Sequence, residues 1–524
     1  MQSSFIKQAA ILAAATLFVR FIGFLYRLPL TNLIGDEGIG LYGVGYQFYL
    51  FVLVMSSAGL PGAISKMVSE RIARKEYRNA HGVFRAAMTV GITFGLAGTL
   101  LLWILAGYFE VWFGYPGSSY SIRALAPTIL IVSIMAVFRG YFQGMNNTVP
   151  TAVSQVVEQV FNAIFSLFLA YIFIGQDNLE WAAAGGTAGT GIGAVLGLIT
   201  LMAIYKVLSP KLRNRIRKHS VSQDQKIEKP SSQIKEVMAT AFPIILGTAI
   251  YSIANFIDMA MVSNRMQAGG FDEVASRAAF GQLTGKFIVL TTLPVSISTA
   301  LTAAVLPSIA GSTVTRDFKA VTAKIGKALR MSTLVSIPAA MGLAVMAEPI
   351  YLLLFPNHPE GAHLMQVGAI SVVFLSLNQI ATGALQGINK IKIPVIAAAA
   401  GAIVKIPLNY VLIYQPNINV LGAVISTVVC YLLAATINMV ALRSYTKIKL
   451  DWVGIFIKPL AASVVMGLTC FVSHNIMVSI VGDTISTIAS VVMGGVVYFT
   501  VLMLIGGIHN EDMERIPFIG RKRS

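Results

Sequence analysis

The chain is 524 residues long, 56% hydrophobic and 12% charged, which is about half the charged share of an ordinary soluble domain. No long hydrophilic block interrupts the apolar stretches, which excludes a string of soluble domains. The net charge of +17 is dispersed over short loops between those stretches, so it fits anionic membrane lipids as partners and argues against nucleic acid.

A helix needs about 20 mostly apolar residues to cross the hydrocarbon. That length predicts fourteen spans, over 8–28, 40–61, 86–108, 121–138, 150–174, 181–205, 237–262, 279–305, 328–347, 363–385, 394–414, 420–442, 453–473 and 482–507. The tenth is the least regular, because Pro356, Asn357 and Pro359 interrupt the run before it. With the N-terminus inside, alternate gaps become cytoplasmic: 62–85, 139–149, 206–236, 306–327, 386–393, 443–452 and the C-terminal tail. With Lys7, Arg330 and Lys458 at helix ends, they hold 32 of the 39 Lys and Arg residues. The outer gaps carry Arg123, Arg265 and Arg277 beside Asp36, Glu37, Glu110, Asp177, Glu180, Asp272, Glu273, Glu348, Glu360 and Asp483. Basic loops stay on the cytoplasmic side. The expected fold is therefore an all-α polytopic membrane protein with fourteen transmembrane helices and both ends in the cytoplasm. The first apolar stretch lacks the layout of a cleavable signal peptide and runs straight into a second.

The first six spans form one bundle, residues 1–205. Helix one carries Arg20 and Arg27, seven apart and so on one helical face. Arg20 lies about 18 Å along a helix starting near residue 8, too deep to snorkel easily, whereas Arg27 is near the outer end and within reach of headgroups. A buried charge costs at least ~2.5 kcal/mol, so each needs a wet cavity or a partner. Two guanidinium groups facing a cavity suit phosphate, since they offer paired donors and stay charged. An ion pair bracing two helices is the alternative for Arg20. Glu158 sits near the cytoplasmic third of helix five. Helix six carries Gly185, Gly189, Gly193 and Gly197 at four-residue spacing, a stripe that lets another backbone approach closely. A phosphate loop is the competing reading, but no Lys-Ser or Lys-Thr follows it.

Residues 206–236 hold nine basic residues without an apolar period, and are expected to be a mobile, membrane-hugging linker. A second six-helix bundle follows, 237–442. Gly140-Tyr141-Phe142-Gln143-Gly144-Met145-Asn146 returns as Gly383-Ala384-Leu385-Gln386-Gly387-Ile388-Asn389, each followed by a proline, Pro150 or Pro394. Tyr42-Gly43 likewise returns as Phe280-Gly281. Six is even, so the repeats would be parallel, pseudo-symmetric about an axis along the membrane normal and suited to rocking about a central site.

The second bundle carries Asp258 on helix seven, Lys286 on helix eight and Lys405 on helix eleven. Lys286 is a candidate to complete a basic cavity with the arginines. An intramembrane carboxylate is a usual cation or proton site; Lys405 would instead neutralise Asp258 as a fixed salt bridge, and both readings stay open. Glu158 is another candidate partner for Lys405. Residues 443–524 add two helices outside the repeat and a basic tail.

No Walker A, H-E-x-x-H or G-x-S-x-G pattern occurs, so no enzyme activity and no cofactor is expected; sodium or proton coupling stays open. Cys430 and Cys470 lie in apolar stretches and read as small packed hydrophobes. The six histidines lie in or beside loops without clustering.

Val19-Arg20-Phe21-Ile22-Gly23-Phe24 with Arg27, then Ile34-Gly35-Asp36-Glu37-Gly38-Ile39-Gly40-Leu41-Tyr42 and Gly59-Leu60-Pro61-Gly62-Ala63-Ile64-Ser65-Lys66, resemble the polysaccharide-transporter branch of the MATE-like MOP superfamily. The nearest look is to the stage V sporulation protein B and MurJ-type lipid II flippases. The resemblance implies an undecaprenyl-diphosphate-linked sugar as substrate, lipid II foremost, flipped across a bacterial membrane by alternating access, with cell-wall synthesis machinery as a candidate partner. It carries substrate roles onto Arg20 and Arg27, with Lys286 standing near a family arginine, and a sodium site onto Asp258 and the Lys405–Asn409 region. A lysine at 405 departs from that sodium site. The rivals are a flippase for another lipid-linked polysaccharide, a cation-coupled multidrug antiporter and a non-transporting scaffold for wall synthesis.

Overall fold

The computed structural model describes residues 2–220, 228–448 and 450–507. Within them the backbone forms sixteen α-helices and two π-helical turns. They fall into two units, one comprising residues up to Lys286 with Lys405–Ala423, the other Phe287–Val404 with the chain from Val424 onward. This grouping differs from the expected division at 205, 236 and 442.

The first unit contains α1 (Gln2–Ser57), α2 (Leu60–Ala73), α3 (Tyr77–Phe113), α4 (Ser118–Gly144), α5 (Val149–Ile174), α6 (Leu179–Ser220), α7 (Pro230–Ala268), α8 (Glu273–Gly281) and most of the π-helical turn Gln282–Phe287. The second contains α9 (Ile288–Val314), α10 (Phe318–Val345), α11 (Ala347–Leu354), α12 (Ala362–Gly368), α13 (Ser371–Gly387), the start of α14 (Lys392–Leu412), α15 (Leu421–Thr446), the π-helical turn Val453–Ile457 and α16 (Lys458–Leu504).

Ten helical segments are long and apolar enough to cross a membrane, and eleven if α12 and α13, bent by 50°, count as one. The chain is a multi-pass membrane protein. Two gaps expected as outer loops, 29–39 and 474–481, are helical instead. Each gives way to a break at one glycine, Gly35 (φ 68°, ψ 179°) inside α1 and Gly482 (φ 78°, ψ 169°) inside α16. That conformation is essentially reserved for glycine, so two apolar helices abut without a loop. Asp36 is consequently not an outer-loop residue but the buried first residue after the break.

The expected linker is also largely helix. α6 continues to Ser220, because Lys, Arg, Leu and Ile are good helix formers and a membrane-anchored helix needs no new nucleus to extend. Residues 221–227, the side chain of Lys7 and the tail beyond 507 lie outside the described residues. α7 restarts at Pro230 in its first turn, where the missing N–H costs nothing.

The glycine stripe of α6 is a packing surface. A Cβ at Gly185 would meet Leu169 and Phe173, at Gly189 Ser166, and at Gly193 the Glu158 carbonyl and Asn162, all on α5, and at Gly197 Met135 of α4 before Glu158 and the Ser154 carbonyl of α5. The repeated motifs share one local structure. α4 ends at Gly144 and α13 at Gly387. Asn146 (φ 57°) and Asn389 (φ 61°) then turn left-handed, and their amides donate to the carbonyls of Gln143 (2.9 Å) and Gln386 (3.0 Å). Gly140 and Gly144 press on Pro61, Ile64 and Val68, as Gly383 and Gly387 press on Thr302 and Ile309.

Candidate functional site

Helix propensity and the apolar stripe place Arg20 and Arg27 on α1, the first exposed and the second half-buried. Tyr42, Tyr46 and Tyr49 follow the Gly35 break at i, i+4, i+7 spacing, which puts three rings on one helical face. Tyr42 and Tyr46 stack at 5.9 Å. The Arg27 guanidinium lies 4.3 Å from the Tyr42 ring centroid, 5.3 Å from that of Tyr46 and 5.9 Å from that of Tyr26. The Tyr26 and Tyr42 hydroxyls meet at 3.2 Å. Cation–π contacts of this kind contribute about 0.5–2 kcal/mol each and hold the charge without neutralising it. No carboxylate among the described residues pairs with Arg20 or Arg27. The ion pair considered for Arg20 is thus not formed among them.

Glu158 does not reach Lys405. Its carboxylate takes a 2.6 Å ion pair from Arg139 of α4, whose Nε donates to Ser154 Oγ at 3.1 Å. Arg139 was expected to open a cytoplasmic loop; α4 instead continues five residues past it.

Lys286 does not complete a basic cavity with the arginines. Its side chain is wholly buried and its Nζ lies 2.6 Å from Asp36 Oδ1. Glycines explain how the two come together. Gly40 meets the Arg277 carbonyl, Gly281 meets the Asp36 carbonyl, and Gly43 and Gly285 face Thr284 and Ile39, so α1 and α8 cross at backbone contact. Arg277 seals one end, pairing with Glu37 at 2.8 Å and donating to the Pro116 carbonyl at 2.7 Å.

Asp258, Lys405 and Asn409 do converge. Lys405 Nζ donates to Asp258 Oδ2 at 2.6 Å and to the Ala254 carbonyl at 3.1 Å, while Asn409 Nδ2 donates to Asp258 Oδ1 at 2.9 Å. All three side chains are buried. Arg265, about two turns beyond Asp258 toward the C-terminus of α7, stacks 3.8 Å over Tyr410. Lys286 and Lys405 are also the residues at which the chain leaves and re-enters the first unit.

A further cluster lies where α7 begins. Arg71 of α2 is buried between Glu228 (2.7 Å) and Glu236 (2.6 Å), and Gln233 Nε2 bridges the Asn79 carbonyl (3.2 Å) and Glu228 (3.1 Å). Burial disfavours the Glu228 charge, but hydrogen bonds from Arg71 and Gln233 outweigh it and hold the carboxyl below the usual range.

The polysaccharide biosynthesis protein family matches residues 5–313, and the MatE family matches residues 243–411. Stage V sporulation protein B of Bacillus subtilis (strain 168) is 26% identical over 525 residues, covering 99% of both chains. Lipid II flippase MurJ of the same organism is 26% identical over 460 residues, 85% of this chain and 84% of that one. Among solved structures, lipid II flippase MurJ in an inward closed conformation superposes with a TM-score of 0.70 at 16% identity, covering 95% of this chain and 98% of that one. That likeness establishes the fold.

Proposed function

The chain belongs to the polysaccharide biosynthesis protein family, and from that premise we propose that it flips an undecaprenyl-diphosphate-linked sugar, lipid II foremost, across the bacterial cytoplasmic membrane by alternating access. One observation carries the reading: Arg27 is held over tyrosine faces with no carboxylate to neutralise it. A half-buried guanidinium with no carboxylate partner among the described residues is expensive within a membrane, and a diphosphate repays it with paired, charge-assisted hydrogen bonds. Arg20, two turns earlier on α1, supplies a second cationic stop. The tyrosine ladder beyond Arg27 offers flat faces on which a sugar ring can rest. Nothing in this arrangement makes or breaks a covalent bond; the work is binding and passage.

The role of Asp258 follows from its neighbours. Both carboxylate oxygens are engaged, one by Lys405 and one by Asn409. We read the ammonium as a built-in counter-ion in place of an exchangeable cation, and propose transport that does not depend on sodium.

The MatE match over 243–411 favours a second reading, a cation-coupled multidrug antiporter; flipping of another lipid-linked polysaccharide is a third. Binding of purified protein to lipid II and to undecaprenyl phosphate, for wild type, Arg20→Ala and Arg27→Ala, separates them. The proposal expects tight binding that prefers the diphosphate and is weakened at least tenfold in both variants. Equal binding of the two lipids, or indifference to both arginines, would shift the assignment to another glycolipid or to drug export.

A further inference from the structure

The second unit carries a cavity of about 790 Å³ at the C-terminal end of α15, lined by Val440, Arg443, Ser444, Lys447, Leu450 and Trp452, with Ile448 at its floor. Its lining is of two kinds. Arg443, Ser444 and Lys447 bring two cations and a hydroxyl, all exposed. Val440 (64% exposed) and Trp452 (56% exposed) bring open apolar surface, Val440 from the same face of α15 as Arg443 and Ser444.

Neither cation is neutralised: no carboxylate among the described residues pairs with Arg443 or Lys447. The nearby acid, Asp451, is committed elsewhere, its Oδ1 accepting from the Gly454 amide at 3.0 Å to start the π-helical turn. Lys447 stands in the left-handed region (φ 52°), with its amide donating to the Arg443 carbonyl at 2.8 Å. That conformation is the ordinary stop of a helix, and it sets a second cation one turn beyond the first. Trp452 stacks on Phe456 at 5.2 Å, leaving its other face to the cavity. A tryptophan beside paired basic residues and exposed aliphatics is the composition of the membrane–water boundary.

The geometry points to a binding site for one anionic glycerophospholipid, its headgroup phosphate held by Arg443, Lys447 and the Ser444 hydroxyl and its upper acyl chain lying along Val440 and Trp452. Charge complementarity selects an anionic lipid over a zwitterionic one. The site is independent of Arg20 and Arg27 and of the transport reading.

The test uses the full-length protein, delipidated in detergent and titrated with phosphatidylglycerol or phosphatidylcholine, with bound lipid counted by native mass spectrometry. Wild type should retain one phosphatidylglycerol above background and no phosphatidylcholine. Arg443→Gln with Lys447→Gln should weaken that retention about thirtyfold, at about fivefold per basic residue near a membrane surface, whereas Arg443→Lys with Lys447→Arg should keep it. Brominated phosphatidylglycerol should quench Trp452 in a background where Trp103, Trp112 and Trp181 are phenylalanine. Undiminished retention in the glutamine variant, equal retention of phosphatidylcholine, or preferential displacement by undecaprenyl phosphate would each overturn the assignment. Should the glutamine variant fail to fold, quenching of Trp452 by the brominated lipid decides: its presence supports the site and its absence removes it.

Discussion

Lys286 and Asp36 meet at 2.6 Å across the glycine-lined crossing of α8 and α1, both side chains withdrawn from solvent. An ion pair so enclosed is worth little over a well-packed apolar pair, but removing one member strands the other's charge. Lys286→Ala should therefore destabilise the protein by about 3–5 kcal/mol, and Lys286→Met with Asp36→Leu should recover most of that loss. Thermal unfolding of the purified variants in detergent checks both.

The rings under Arg27 separate aromatic support from hydroxyl chemistry. Tyr46→Phe keeps the face and should leave diphosphate-lipid binding near wild type. Tyr46→Ala removes a face 5.3 Å from the guanidinium and should weaken binding several-fold. Arg27→Ala should cost about tenfold to a hundredfold, the range for lost hydrogen bonds to a charged group. Titration with lipid II measures all three.

Sodium should not stabilise the wild-type protein, because Lys405 already occupies the Asp258 carboxylate. Lys405→Ala vacates that position. The variant should be less stable and should gain a sodium-dependent rise in melting temperature, as expected when a ligand binds only the folded state. A sodium response in wild type with none in the variant would reverse the argument.

Acid should loosen the contact between α2 and the start of α7. The folded-state value of Glu228 lies below its unfolded one, so its contribution is complete at neutral pH and is lost as pH falls through the folded value. Glu228→Gln lacks that contribution throughout. The stability difference between wild type and variant should be constant near pH 7 and shrink toward zero below about pH 4, followed by thermal unfolding across the series.

Both chain ends are proposed to face the cytoplasm. In a background with Cys430 and Cys470 replaced by serine, single cysteines at Ser3, Ser220 and Ser524 should react with a membrane-impermeant maleimide only after cells are opened, and one at Asp177 should react in intact cells.

Much of the helical layout was legible from apolar run length, since a span is an apolar run of sufficient length. The glycine stripe of α6 and the repeated Gln-Gly-x-Asn helix ends were readable because each has a local steric meaning. The breaks at Gly35 and Gly482 were not: a single glycine between two apolar helices looks like a short loop until its ψ is known. Partner choice was also hidden. Asp258 and Lys405 were legible as a candidate pair by charge type, and Asn409 beside them through the family resemblance, whereas Asp36 for Lys286 and Arg139 for Glu158 depend on which helices cross. The tyrosines beneath Arg27 went unnoticed although Tyr42, Tyr46 and Tyr49 recur at helical spacing, a signal as plain as the arginines themselves.

The first unit is not finished when its first stretch of chain is made. Asp258 enters with α7, and the lysine that pairs with it follows 147 residues later. At synthesis rates of about 5–20 residues per second, that interval is on the order of ten seconds. During it the nascent chain holds the Asp258 carboxyl without the Lys405 ammonium that pairs with it in the finished fold. Only when residues 405–423 emerge can α7 settle. Completion of the first unit therefore waits until the intervening chain of the second has been made.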